Sequence, residues 1–169
     1  MTLEDLNCLE PSRAEAEFRR CCGSARWARA MTEARPFADV NAMIAHGDTI
    51  WTSLAQTDRL EAFAAHPRIG DQRAVSAWSS EEQAGIRWAG ARTKAKLAAL
   101  NVDYQARFGY IFIVCATDQS SEDILARLDA RLSNDPRTEL AIAAEEQRKI
   151  TALRLQKLVM GTHDQHARS

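Results

Sequence analysis

No apolar run in this sequence approaches the roughly 20 residues that a bilayer-spanning helix needs; the longest, Tyr110 to Ala116, is a third of that. Surplus charge is also missing. Lys and Arg number 22 against 23 Asp and Glu, a net charge of -1. That balance argues against nucleic acid or an acidic membrane as partner, since either would call for a basic excess. The opening Met1-Thr2-Leu3-Glu4-Asp5 carries acids and no apolar core, so no signal peptide is expected. Cys8, Cys21, Cys22 and Cys115 lack Cys-x-x-Cys spacing and zinc-like histidine neighbours. Adjacent Cys21-Cys22, and Cys115 inside an apolar run, read as small core residues of a cytoplasmic protein without a metal. His163 and His166 have a metal-like spacing, but they follow Gly161 at the chain end and read as part of a frayed terminus.

What is present is the composition of an ordinary globular protein: 169 residues, 46% apolar and 27% charged, without repeats or low-complexity tracts. One domain over 1–161 is expected, followed by a disordered tail, 162–169. Helical periodicity dominates, and the expected fold is all-α: a single multi-helix domain with one short extended segment lining its active site. Ser12-Arg13-Ala14-Glu15 has capping-box form and opens a helix stopped by Gly23. Trp27, Ala30, Met31 and Ala34 give the next a helical stripe, ended by Pro36. Two short helices are expected over 40–46 and 49–54, and a further one from an Asp58 cap. A long helix is expected from about Ser80 to a stop at Gly109, another from Ser121, and a last one opened by Asp135-Pro136.

The exception is Tyr110-Ile111-Phe112-Ile113-Val114-Cys115-Ala116, which has strand composition and no evident partner strand. A buried extended segment must still satisfy its N–H and C=O groups, either on neighbouring side chains and water or on a ligand rich in amide-like groups. It is therefore a candidate ligand wall. A short buried stretch of helix is the alternative.

Chemistry concentrates first at His66-Pro67-Arg68-Ile69-Gly70. Proline disfavours helix for the residue before it, so His66 is expected on a stiff corner where an imidazole keeps a fixed aim. A general acid or base needs that; a helix that ends at Pro beside an incidental His is the plain alternative. Thirteen residues after His66, Ser79-Ser80-Glu81-Glu82-Gln83 reads as a helix start. Glu82 there either completes a cap or helps receive an anionic ligand at the helix N-terminus. Arg154, between Leu153 and Leu155, is either a solvated or paired arginine or a forked donor for a carboxylate.

Together with Arg35-Pro36-Phe37, Leu100-Asn101, Tyr104, Arg107-Phe108-Gly109 and Lys149-Ile150, these segments keep an order and spacing over nearly the whole chain. In these the sequence resembles the 2-oxo-4-hydroxy-4-carboxy-5-ureidoimidazoline (OHCU) decarboxylases of urate breakdown. The resemblance implies an all-helical, usually dimeric lyase with no metal or organic cofactor. It would convert OHCU, a small-molecule substrate, to (S)-allantoin and carbon dioxide. It also implies His66 as the catalytic histidine, Pro67 as its neighbouring contact and Glu82 as the active-site glutamate. Ser79, Ser80, Glu81 and Gln83 would bind substrate with it, as would Phe112, Ile113, Val114, Cys115, Ala116 and the late arginine, Arg154. One departure is a loop between His66 and Glu82 shorter than in animal-type members.

Two rivals remain open at this level. Cys115 with His66 would make a hydrolase or transferase, although an apolar run is a poor setting for a reactive thiol. A Trp-rich first half could instead be the groove of a non-catalytic helical interaction module; the helical spacing of Trp27, Trp51, Trp78 and Trp88 fits core and pocket walls better.

Overall fold

In the computed structural model the described residues are 1–68 and 90–160; Ser79, Ser80, Glu81, Glu82 and Gln83, and the tail from Gly161, lie outside them. Among the described residues there are eight helices and no strand, so the all-α expectation holds. No helix among them is long and apolar enough to cross a membrane. Contacts divide the described residues into two compact units, 1–62 with 148–160, and those within 63–147.

The first unit contains α1 (Leu3–Cys8), α2 (Pro11–Cys21), α3 (Ala25–Glu33), α4 (Val40–Ser53) and most of α5 (Gln56–Ala64). Thr2 and Asp5 form a reciprocal capping box on α1. The other end of α1 is held from a distance: Arg35 donates to the Leu6 and Leu9 carbonyls at 2.7 and 2.8 Å. The Asn7 side chain also pairs with both backbone groups of Phe37, at 2.9 Å each. The Arg35-Pro36-Phe37 segment, whose Arg35–Pro36 bond is cis, thus satisfies orphan carbonyls of a helix far away in sequence.

The expected Ser12 cap is corrected. Proline's fixed φ suits the first helical position, so α2 starts at Pro11 and Ser12 falls inside its first turn. The pair of short helices expected over 40–54 is a single one, α4, running straight through Gly47. Gly47 is needed there because Trp27 of α3 lies against it. A Cβ on Gly47 would stand 3.0 Å from the Trp27 ring, and the indole N–H donates to the Gly47 carbonyl at 2.9 Å. Phe18, Trp27, Ala28, Met31 and Met43 are fully buried around this crossing. Helix α5 begins at Gln56, which leaves Asp58 in the first turn, where a carboxylate favours the helix dipole.

The second unit contains the end of α5, α6 (Ala91–Phe108), α7 (Ser121–Arg131) and the first half of α8 (Pro136–Met160). The long stripe expected from Ser80 does not continue unbroken: Gly90 is extended, with φ -60 and ψ 155, and α6 starts after it. At the other end Gly109 takes φ 81, a left-handed stop open to a residue without Cβ, as its sequence position foretold. Ser120 and Asp123 cap α7 reciprocally, and Asp135 accepts from the Thr138 N–H at 3.0 Å to open α8 behind Pro136.

Residues 111–116 are neither helix nor strand. Phe112 and Val114 point into an apolar cluster with Leu97, Tyr104, Ile124 and Leu128. Tyr104 meets Phe112 edge to face at 5.2 Å and Phe108 at 4.7 Å. The alternative of a buried helical stretch is therefore excluded.

Candidate active site

Helix α5 stops at Ala64, and His66 lies beyond it in a bend, as the following proline requires. Its N–H donates to the Phe63 carbonyl at 3.1 Å, which ties the corner to the helix end. The ring, half-buried, places Nε2 2.7 Å from Oε1 of Gln147, a fully buried residue of α8. The next residue back, Glu146, is buried too, and its Oε2 accepts the Cys115 N–H at 2.7 Å. Adjacent residues of one helix therefore hold the imidazole and the extended segment.

Among the described residues that segment has no partner strand, and side chains bond to its backbone instead. Arg131 donates to the Ile113 carbonyl at 2.8 Å and stacks its guanidinium 4.5 Å from the Phe112 ring centre. Gln119 donates to the Cys115 carbonyl at 2.6 Å through its amide and to the Ala116 carbonyl at 3.2 Å through its backbone. A carboxylate with no exposure, Glu139, keeps Arg131 in place with contacts of 2.8 and 2.6 Å. Glu139 also accepts from the Tyr104 hydroxyl and from the Asn134 amide, the latter at 2.8 Å. Burial, reinforced by the bond to Glu139, pushes the Tyr104 phenol far up and keeps it protonated.

Arg154 is also buried, which excludes the solvated-face reading. It belongs to the first unit, near Cys21 and Cys22. Burial pushes both of those thiols up, Cys22 to about 11, and the Arg154 charge opposes that rise without cancelling it. Of the expected site residues, His66 and Cys115 are brought to neighbouring residues of α8; the side chains of Phe112 and Val114 serve the core. Among the described residues no three His, Cys, Asp or Glu side chains are grouped to hold a metal ion.

Sequence reasoning missed Glu139, Glu146, Gln147 and Arg131. A signal existed for the first three. Glu139, Ala143, Glu146, Gln147, Ile150 and Arg154 recur at intervals of three and four along α8. Polar residues thus occupy the phase of an apolar stripe, and a helix keeps them there only where partners exist.

Residues 7–156 match the family model of OHCU decarboxylase. A uric acid degradation bifunctional protein of Arabidopsis thaliana is 38% identical over 151 residues, covering 85% of this chain and 47% of that protein. The chain thus spans about half the length of this plant relative. The OHCU decarboxylase of Amia calva is 35% identical over 138 residues, 78% of this chain and 79% of its own. A crystal structure of an OHCU decarboxylase determined in the presence of (S)-allantoin superposes with a TM-score of 0.77 at 39% identity, covering 85% of this chain and 97% of that one. Fold and relatives define the class: an all-α carboxy-lyase. The chain belongs to the OHCU decarboxylase family.

Proposed function

We propose that this protein decarboxylates OHCU to (S)-allantoin in urate degradation, with His66 as its acid–base residue and without a cofactor. One observation carries the reading: the imidazole is aimed by a proline corner on one side and by Gln147 on the other, 2.7 Å from Nε2. In OHCU the carboxylate sits on a carbon that also bears a hydroxyl, beside a ring carbon doubly bonded to nitrogen. As carbon dioxide leaves, the electron pair of the broken C–C bond forms a C=C bond to that neighbour. The C=N pair moves onto nitrogen, which takes a proton. Neutral His66 accepts the hydroxyl proton, the former carbinol becomes a carbonyl, and the C=C pair takes a proton at the neighbouring carbon. Delivery to one face sets the handedness. The sum is one proton consumed and one carbon dioxide released.

Glu82 orients His66 or binds ureido N–H groups in this scheme, beside Pro67, Ser79, Ser80, Glu81 and Gln83. Arg154 holds the carboxylate or a ring oxygen through its planar fork. The Val114 N–H and C=O, flanked by the pinned groups of Ile113 and Cys115, read the amide-like edge of the ring. The protein is proposed to act as a cytoplasmic homodimer.

The test is replacement of His66 by Asn, with OHCU decay and allantoin chirality followed by circular dichroism. The expected result is loss of kcat by about 100-fold or more, the scale of general acid–base catalysis. Near-parental production of one enantiomer would remove His66 from the mechanism.

A further inference from the structure

We propose that Gln147 is a positioning residue that locks His66 in its Nε2–H tautomer, so that Nδ1 is the basic nitrogen. This rests on the reading of His66 as the acid–base residue. An amide oxygen only accepts, so the ring must donate across the 2.7 Å contact, and the proton sits on Nε2. A neutral imidazole carries one proton, and its lone pair then lies on Nδ1. The distance is at the short end for N–H···O, as expected of a well-aimed bond.

Burial makes the arrangement decisive. Gln147 has no exposure, so its oxygen has no bulk water to turn to. A ring proton moved to Nδ1 would leave that acceptor facing the Nε2 lone pair, two like dipole ends in contact. The choice of an amide over a carboxylate also has a consequence. An acid at this position would favour the imidazolium, whereas a neutral amide aligns the ring without placing a charge beside it. Helix α8 supplies the rigidity. It runs unbroken from Pro136 to Met160, and Glu146 on the same turn holds the Cys115 N–H. Ring and extended segment are thereby indexed to one backbone.

The experiment is 15N NMR of the histidine-labelled full chain, with the His66 signals assigned by their absence in His66→Asn. The parent protein should show a protonated Nε2 and an unprotonated Nδ1. Gln147→Leu should show a mixture of tautomers, with kcat down about 10- to 100-fold, the range of orienting partners of histidine, and KM changed less than about threefold. Gln147→Glu retains an acceptor and should keep Nε2 protonated, but with Nδ1 protonated as well, because the carboxylate favours the imidazolium. A parent ring protonated on Nδ1, with the amide donating to Nε2, overturns the inference, and that measurement needs no variant to fold. So does Gln147→Leu with both tautomer and kcat unchanged. Failure of the functional reading shows separately, as His66→Asn retaining turnover while the parent tautomer is as stated.

Discussion

Arg131→Met tests the argument that buried side chains hold the backbone of residues 112–116. Methionine fills a similar volume without charge or donors. Among the described residues the substitution leaves Glu139, which has no exposure, with Tyr104 and Asn134 as donors, and leaves the Ile113 carbonyl without its 2.8 Å partner. Removing one member of a buried ion pair costs about 3–5 kcal/mol. An orphaned carbonyl costs about 1–3 kcal/mol, but the two are coupled through one guanidinium and do not simply add. With about 2–4 °C of melting temperature per kcal/mol at this size, Tm should fall by roughly 6–20 °C. Thermal melts by circular dichroism read it directly. Arg131→Met combined with Glu139→Leu removes both charges, and should recover part of the loss because no charge is left stranded. A single variant melting within about 2 °C of the parent, or a double variant less stable than the single, would refute the reasoning. KM for OHCU should rise in the single variant, since residues 112–116 lose an anchor.

Gly47→Ala should destabilise despite the gain of about 1 kcal/mol from helix propensity. The new methyl meets the Trp27 ring at 3.0 Å, and that ring is fixed by its bond to the Gly47 carbonyl and by edge contact with Phe18 at 6.2 Å. Overpacking of about 1–3 kcal/mol outweighs the propensity, and a rise in Tm would show that the crossing has slack. Native protein treated with a thiol reagent at pH 8 should react at exposed Cys8 and more slowly at half-buried Cys115. Cys21 and Cys22 should respond only after unfolding, because burial raises both thiols. The same shift works against the fold in alkali. The Cys22 thiol ionises near 9.0 when unfolded and at about 11 when folded. Between those values unfolding releases a proton, so stability present below pH 9 falls by about 1.4 kcal/mol per pH unit as pH rises. A denaturation midpoint flat from pH 8 to 11 would contradict this.

Local signals fared best. The stop at Gly109, the Asp135-Pro136 start and the ejection of His66 from α5 all depend on steric and hydrogen-bonding choices made within four residues. They hold whatever packs around them. The order of short segments along the chain also sufficed to point to the family, which the match over residues 7–156 bears out. The Ser12 cap failed for a local reason as well, because Pro11 offers a better first position.

Other features were set by chain segments that meet only when folded. Nothing near Gly47 announces that Trp27, twenty residues earlier, will cross there and allow α4 to continue. Glu146, Gln147 and Glu139 share the phase of the apolar stripe on α8, but the groups they meet come together only in the folded chain. His66 and Gln147 stand 81 residues apart. Backbone preferences determine where helices begin and end, because those energies are local. Burial is what gives a polar group its partner and its cost, and burial belongs to the assembled chain: it decided that this histidine faces an amide.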